Sequence, residues 1–446
     1  MEEGITGSRA RVTALQILTD YGLRDAFVGS LLSSRLRDSV LDRRDRALVT
    51  GLVQGTVRMK LTLDWALKEF SNRPLESLDP GVLWSLRLSA FQLMFTDVPD
   101  YAAVDLAARA TAEVVGQHAV GFVNAVMRAF AKGYEAVPYP SAEDDPAGYL
   151  EVRQSHPRWV VEMWIRELGF DKAASICEAD NAEPLVSLRA NLRRTSREAL
   201  AASLTDKGLE VSAGDLTEEC LLVKGSGPIG DLDEFRQGLF AVQDQGSQLV
   251  SHQVDPRPSS RVLDMCAAPG GKANHLAELM GNDGSIVAVD INGSRLRLVS
   301  ETAARLGNTI LETVELDGTE AAGGLEGVFD RVLVDAPCTG LGTLARRPDA
   351  RWRKKEEDHE RLVELQLRLL SEGAKLVDVH GLLVYSTCTI SHRENAGVVS
   401  AFLESTPGFQ TETARLKGCE LMPHLQLYPD TDHCDGMFMA VMRRLH

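Results

Sequence analysis

From Arg261 onward, short apolar runs rich in β-branched residues alternate with amphipathic stretches: "RVLDMC", "SIVAVDI", "TILETVELDG", "FDRVLVDAP" and, after a long helical segment from about Asp358 to Val379, "GLLVYSTCT". Continuous apolar runs of this kind suit strands buried on both faces, and strand–helix alternation requires a parallel sheet with crossover helices on both sides. Ligands in such sheets bind beyond the carboxyl ends of the strands. Two of those ends carry a thiol: "RVLVDAPCTG" runs into Cys338, and "LLVYSTCTI" into Cys388.

The chain of 446 residues exceeds what one hydrophobic core serves, so further domains are expected. Residues 1–135 read as an all-α bundle, with Val12, Leu15, Leu18, Leu23, Phe27 and Leu31 near helical spacing and turn signals at "SNRPLESLDPG" and "DVPD". Residues 136–155, rich in proline and acid, read as a linker. Residues 156–240 read as a small α+β module, RRM-like in its mix of helix and short strands, in which Arg189, Arg193, Arg194 and Arg197 form a candidate basic face. Residues 241–446 form the α/β catalytic domain, so the fold class is multidomain: helical bundle, α+β module, Rossmann-like α/β domain.

The net charge of −16 argues against a chain that coats itself uniformly with nucleic acid. Residues 1–140 hold 16 Lys and Arg against 16 Asp and Glu, so the excess of acid lies in the remainder. Screening confines charge effects to about 8 Å, so local clusters matter more than the total. The start, "MEEGITGSRARV", lacks the pattern of a signal peptide, and no apolar run has membrane-spanning length; a cytoplasmic protein without membrane contact is expected. Seven cysteines without a C-x-x-C pair disfavour a disulfide framework and a zinc site, so no metal is expected. Cys177, Cys220, Cys419 and Cys434 read as small buried hydrophobes.

"VLDMCAAPGGK" is a strand followed by small residues and two glycines that open a helix. Residues Cys266, Ala267, Ala268, Pro269, Gly270, Gly271 and Lys272 would let a ligand approach the backbone, and the helix start offers N–H groups to an anion. Asp290, closing the next strand, is placed to accept ribose hydroxyls, and Asp317, closing the third, an adenine amino group. A ribose acid without the G-x-G-x-x-G pyrophosphate turn fits an adenosyl ligand lacking a second nucleotide, and S-adenosyl-L-methionine is the natural candidate.

Two thiols at adjacent strand ends then suggest methylation of a pyrimidine carbon. Cytosine C5 is a poor nucleophile until a thiolate adds at C6 and gives C5 enamine character. After transfer a base must remove the C5 proton as the thiol is expelled, a job for a second group. Asp335 could hold the N3 or amino edge of the base. An ordinary thiol of pKa about 8.5 is scarcely ionised at neutral pH, so the site must favour the thiolate, and Lys272 is a candidate.

Taken together, "DMCAAPGGK", "VDAPCTGLG", "RRPDARW" and "YSTCT" followed by "ENA" resemble the RNA cytosine-C5 methyltransferases. The start, with "RDRALVTGLVQGTVR" and "GFVNAVMR", resembles the NusB-type domain of the 16S ribosomal RNA (cytosine-5)-methyltransferase B branch. The resemblance implies a class I methyltransferase domain and Cys388 as the C6 nucleophile. It implies Cys338 as the group aiding product release, and a cofactor site from Cys266 to Lys272 with Asp290, Asp317 and Asp335. It also implies a monomer acting on 16S ribosomal RNA or a ribosome-assembly intermediate. Cys338 as nucleophile, as in the DNA enzymes, is the chemical alternative. One departure is His392 and Arg393 before Glu394, where the family usually has a proline and an acid.

"ARRPDARWRKK" packs Arg346, Arg347, Arg351, Arg353, Lys354 and Lys355 around Trp352, a pattern suited to phosphate contact and base stacking. Arg346, Arg347, Arg351, Trp352 and Arg353 are therefore the expected RNA contacts. The competing readings are an RNA-binding assembly factor with a non-catalytic methyltransferase fold, or C5 methylation of another RNA such as tRNA.

Overall fold

The computed structural model describes residues 3–37, 39–224, 229–414 and 422–446, which form two compact units. Cys419 lies outside the described residues.

The first unit comprises residues 1–182 together with Leu344–Arg353. Its helices run Glu3–Leu23, Val28–Arg37, Arg43–Arg58, Lys60–Lys68, Pro80–Phe95, Asp100–Val114 and Gln117–Gly133, then Pro146–Arg153, Arg158–Leu168 and Phe170–Asn181. Local chemistry starts them: Asp42 accepts from Asp45 N at 2.8 Å, and Asp79 accepts from Gly81 N at 2.8 Å with Pro80 in the first turn. Two apolar clusters form the core. One gathers Leu15, Leu18, Val53 and Trp84; the other gathers Leu63, Leu86, Met127 and Phe130. The segment expected as a linker holds the helix Pro146–Arg153, capped by Asp145 on Gly148 N. The helices Arg158–Leu168 and Phe170–Asn181 are grouped with this compact unit.

The second unit comprises Glu183–Thr343 and Lys354–His446 and contains two sheets. Strands β1 (Val186–Ala190), β2 (Glu210–Ala213), β3 (Cys220–Lys224) and β4 (Phe240–Val242) form an antiparallel sheet in the order β2-β3-β1-β4. Strands β5 (Arg261–Met265), β6 (Ser285–Asp290), β7 (Leu311–Glu315), β8 (Phe329–Asp335) and β9 (Val377–Thr387) pair in parallel. Antiparallel β12 (Phe438–Arg444) extends the sheet beside β9, and β10 (Phe409–Glu412) and β11 (His424–Gln426) both pair with β12. The order is β10-β12-β9-β8-β5-β6-β7. The chain leaves β5 toward β6 and β7, then returns to β8 and β9 on the other side, so the carboxyl end of β5 lies at a topological switch point.

The arginines expected to form a basic face on the small sheet serve another purpose. Arg189 is wholly buried and donates to Glu278 at 2.8 and 3.1 Å and to the Gly271 carbonyl at 2.9 Å. Arg193 donates to Asn308 Oδ1 at 3.0 Å and Arg194 to the Arg305 carbonyl at 3.0 Å. These contacts tie the small sheet to the helices of the parallel sheet. Arg197, on the next helix, is half-buried and pairs with Glu198.

Candidate active site

β8 and β9 are neighbours, with Asp335 in register with Ser386, so the residues just past both ends are brought together. Cys338 and Cys388 are each half-buried, and their Sγ atoms are 3.4 Å apart. Contact with Cys388, and then burial, push the Cys338 thiol well above its ordinary range, with the Cys388 and Glu394 charges adding to the effect. The two sulfurs therefore titrate as a pair, and ionisation of one opposes ionisation of the other.

Asp335 stands at the β8 end between two donors: Lys272 Nζ at 2.7 Å and Ser386 Oγ at 2.7 Å. Burial opposes the charge of Lys272, but Asp335 outweighs it with a further contribution from Cys388, and the ammonium is held above its ordinary value. Lys272 thus offers a fixed positive charge beside the thiol pair.

The loops behind the thiols are clamped. Glu394 is fully buried and accepts from Thr339 N at 2.9 Å, from Thr339 Oγ1, and from Gln366 Nε2 at 3.0 Å. Asn395 accepts from Thr387 Oγ1 at 2.6 Å and donates to the Thr389 carbonyl at 3.0 Å, fixing the backbone on either side of Cys388. Gly342 N donates to the Cys388 carbonyl at 3.0 Å, and Gly436 N to the Gly342 carbonyl at 2.7 Å. A Cβ on Gly342 would sit 1.9 Å from the Gly436 carbonyl oxygen, so the close approach requires glycine.

The loop expected to hold the adenosyl ligand follows β5. Cys266 and Gly270 adopt positive φ, and the loop returns into the helix Gly271–Leu279. Asp290 accepts from Ala268 N at 3.1 Å and Asn292 N at 2.9 Å, one to each oxygen. Asp317 accepts from Thr319 N and Oγ1, both at 2.8 Å and both on Oδ1, which lowers its pKa. Each carboxylate keeps lone pairs for a ligand, and Ala267, Ala268, Gly270 and Gly271 present little side chain. The residues therefore suit a ribose and an amino-bearing base. Pro269 is exposed at the loop tip. Burial pushes the Cys266 thiol upward, so it is inert packing.

Of the expected RNA contacts, Arg351 is fully enclosed in the helical unit, donating to the Ser155 carbonyl at 2.9 Å and Asn181 Oδ1 at 3.1 Å. Trp352 donates its indole N–H to the Val57 carbonyl at 2.7 Å, and Arg353 lies over the Phe27 ring and pairs with Asp25. Burial thus makes Arg351 a structural anchor, while Trp352 and Arg353 are half-buried. Arg346 is half-buried and Arg347 is exposed. Ser386, Thr339, Gln366 and Gly436 went unnoticed in the sequence. Ser386 lay inside a quoted strand end, whereas Gln366 and Gly436 carry no local signal.

The parallel sheet with its switch point, the small-residue loop after β5 and the strand-end carboxylates define a Rossmann-like methyltransferase. The family model "16S rRNA methyltransferase RsmB/F" matches residues 251–443, "NusB family" 8–132, and the RsmF/B-like ferredoxin-like domain 156–230. A relative from Bacillus subtilis, "Probable ribosomal RNA small subunit methyltransferase B", is 38% identical over 97% of this chain and 98% of its own. "Ribosomal RNA small subunit methyltransferase B" of Pseudomonas putida is 32% identical over 98% of each. The crystal structure of PH0851 superposes with a TM-score of 0.85 at 26% identity, over 98% of both chains. This chain belongs to the ribosomal RNA small subunit methyltransferase B family. Among the described residues no helix is long and apolar enough to cross a membrane.

Proposed function

We propose that the protein methylates C5 of a cytosine in 16S ribosomal RNA through a covalent bond between Cys388 and C6. The observation that carries this reading is the 3.4 Å thiol pair beside the Lys272–Asp335 ion pair. The substrate class follows the names of the relatives, which act on ribosomal RNA of the small subunit. S-adenosyl-L-methionine, when bound by Cys266–Lys272, Asp290 and Asp317, supplies the methyl group.

Cys388 is the attacking sulfur by its match to the family's "STCT" motif, and the Lys272 ammonium beside the thiol pair favours a thiolate there. Asp335, fixed by Lys272 and Ser386, accepts from the amino group of the base and, once the ring is protonated, from its N3–H, which favours thiolate addition. Sulfur addition at C6 places an electron pair at C5, which takes the methyl group. Once Cys388 is a neutral thioether, the charge that kept the proton on Cys338 has gone. Cys338 then gives up its proton to solvent and, as the thiolate, removes that of C5; the C–H electron pair re-forms the C5–C6 double bond, the C6–S bond breaks, and the Cys388 thiolate departs. A target base inside a helix must first be extruded, so an exposed nucleotide is the expected substrate.

The test incubates methyl-labelled S-adenosyl-L-methionine with undermethylated, protein-free 16S RNA and identifies the labelled nucleoside by mass spectrometry. Label in 5-methylcytidine is expected. Label in another nucleoside would overturn the C5 assignment, and none at all would favour an assembly intermediate as substrate.

A further inference from the structure

Away from the thiols, three side chains from three elements of the second unit converge. Glu219 lies immediately before β3, His252 on the helix Gln245–Val254, and His275 on the helix Gly271–Leu279. Nε2 of His252 and Nε2 of His275 each approach Glu219 Oε1 at 2.9 Å, and their rings meet edge to face with centroids 5.3 Å apart. One potential ligand atom from each residue falls within 4.8 Å of the other two. Glu219 is 3% exposed and His275 1%.

Hydrogen bonding alone serves this cluster badly. One carboxylate oxygen takes both imidazoles, while its equally buried twin, Glu219 Oε2, has no partner among the described residues, and neither has Nδ1 of His275. Buried polar atoms left in this way each cost about 1–3 kcal/mol. An ion among the three residues would use the carboxylate and both Nε2 lone pairs at once.

We propose that Glu219, His252 and His275 bind a divalent transition-metal ion of the zinc type. Two imidazole nitrogens and one carboxylate oxygen form a set that zinc accepts, whereas calcium and magnesium require mostly oxygen. Metal–ligand distances of about 2.0–2.2 Å place tetrahedral ligand atoms somewhat over 3 Å apart, so the 2.9 Å contacts need open only slightly. His252, about one-third exposed, also borders a solvent-open cavity of about 290 Å³ lined by Asp255, Arg257, Arg331, His380 and Arg443, through which solvent reaches its ring. Arg189, whose charge reaches His275, is itself neutralised by Glu278 at 2.8 Å. The ion would staple the small sheet to the helix that begins at the cofactor loop and carries Lys272. Its role is structural.

The experiment treats the full chain with chelator, then titrates zinc chloride by calorimetry and records the absorption spectrum with cobalt(II) substituted. One ion per chain is expected, with a higher melting temperature and cobalt bands of nitrogen and oxygen ligands lacking sulfur charge transfer. His252→Ala and Glu219→Gln should each weaken binding by roughly tenfold or more, at unchanged circular dichroism, while Cys388→Ser binds as wild type does. Absence of stoichiometric binding, a sulfur charge-transfer band, or equal affinity in His252→Ala would overturn the proposal and leave a hydrogen-bonded network only.

Discussion

The Cys338 sulfur is held 3.4 Å from the Cys388 sulfur across the carboxyl ends of β8 and β9, so that the two thiols titrate as a pair. The proposed roles separate the consequences of removing either thiol. Cys388→Ala should abolish both methyl transfer and covalent RNA attachment. Cys338→Ala should still attack and transfer but fail to release, so a protein–RNA band resistant to denaturing electrophoresis accumulates. An adduct in Cys388→Ala would exchange the two roles.

Asp335 accepts from Lys272 Nζ at 2.7 Å, so the two should act as a unit. Lys272→Met and Asp335→Asn are each expected to lower the rate by roughly 10²-fold or more, and the double variant by little beyond either single one. Strict additivity in single-turnover assays would show that the ion pair is not the operative element.

Glu394 receives three donors inside the core. Glu394→Gln trades one acceptor oxygen for a donor, sets an N–H against Thr339 or Gln366, and should cost about 1–3 kcal/mol in urea denaturation. Because Thr339 adjoins Cys338, product release should slow as well, seen as a larger steady-state fraction of adduct.

Arg351 and Arg347 lie in one basic run but should behave oppositely. Arg351→Met leaves the Ser155 carbonyl and Asn181 unpartnered and should destabilise the helical unit by about 3 kcal/mol. Arg347→Ala should leave stability within about 0.5 kcal/mol and, where Arg347 meets phosphate, weaken RNA binding in a salt-dependent manner. Paired melting and filter-binding curves separate the two effects.

His156 is fully buried; burial, and then the Arg351 charge, hold its pKa well below the ordinary 6.5. The unfolded chain therefore binds a proton below pH 6.5 that the folded chain refuses. Stability is complete above that pH and is lost as pH falls below it. His156→Phe should flatten this slope in denaturation measured between pH 7 and pH 5, and an unchanged slope would assign it to other groups.

The parallel strands were legible because burial on both faces requires continuous apolar runs, and the chemistry-bearing residues stand where those runs stop. β12 was equally apolar but escaped notice, since its partner β9 lies far earlier in the chain and no crossover helix announces it. The basic run was misread for a related reason. Whether a guanidinium faces water or a buried carbonyl depends on residues such as Ser155 and Asp180, nearly two hundred positions away. Glu219, His252 and His275 likewise share no sequence spacing that suggests a common site.

Leu344–Arg353 is counted with the helical unit although it follows Cys338 by only the short loop Thr339–Thr343. The gene consequently cannot be cut at one place to give two intact halves. Deleting the first 182 codons would strip Arg351 and Trp352 of their seats and leave an unsupported loop a few residues after Cys338. The NusB-like region is thus built into the enzyme's covalent layout, and a truncated catalytic half would inherit the defect in its own chain.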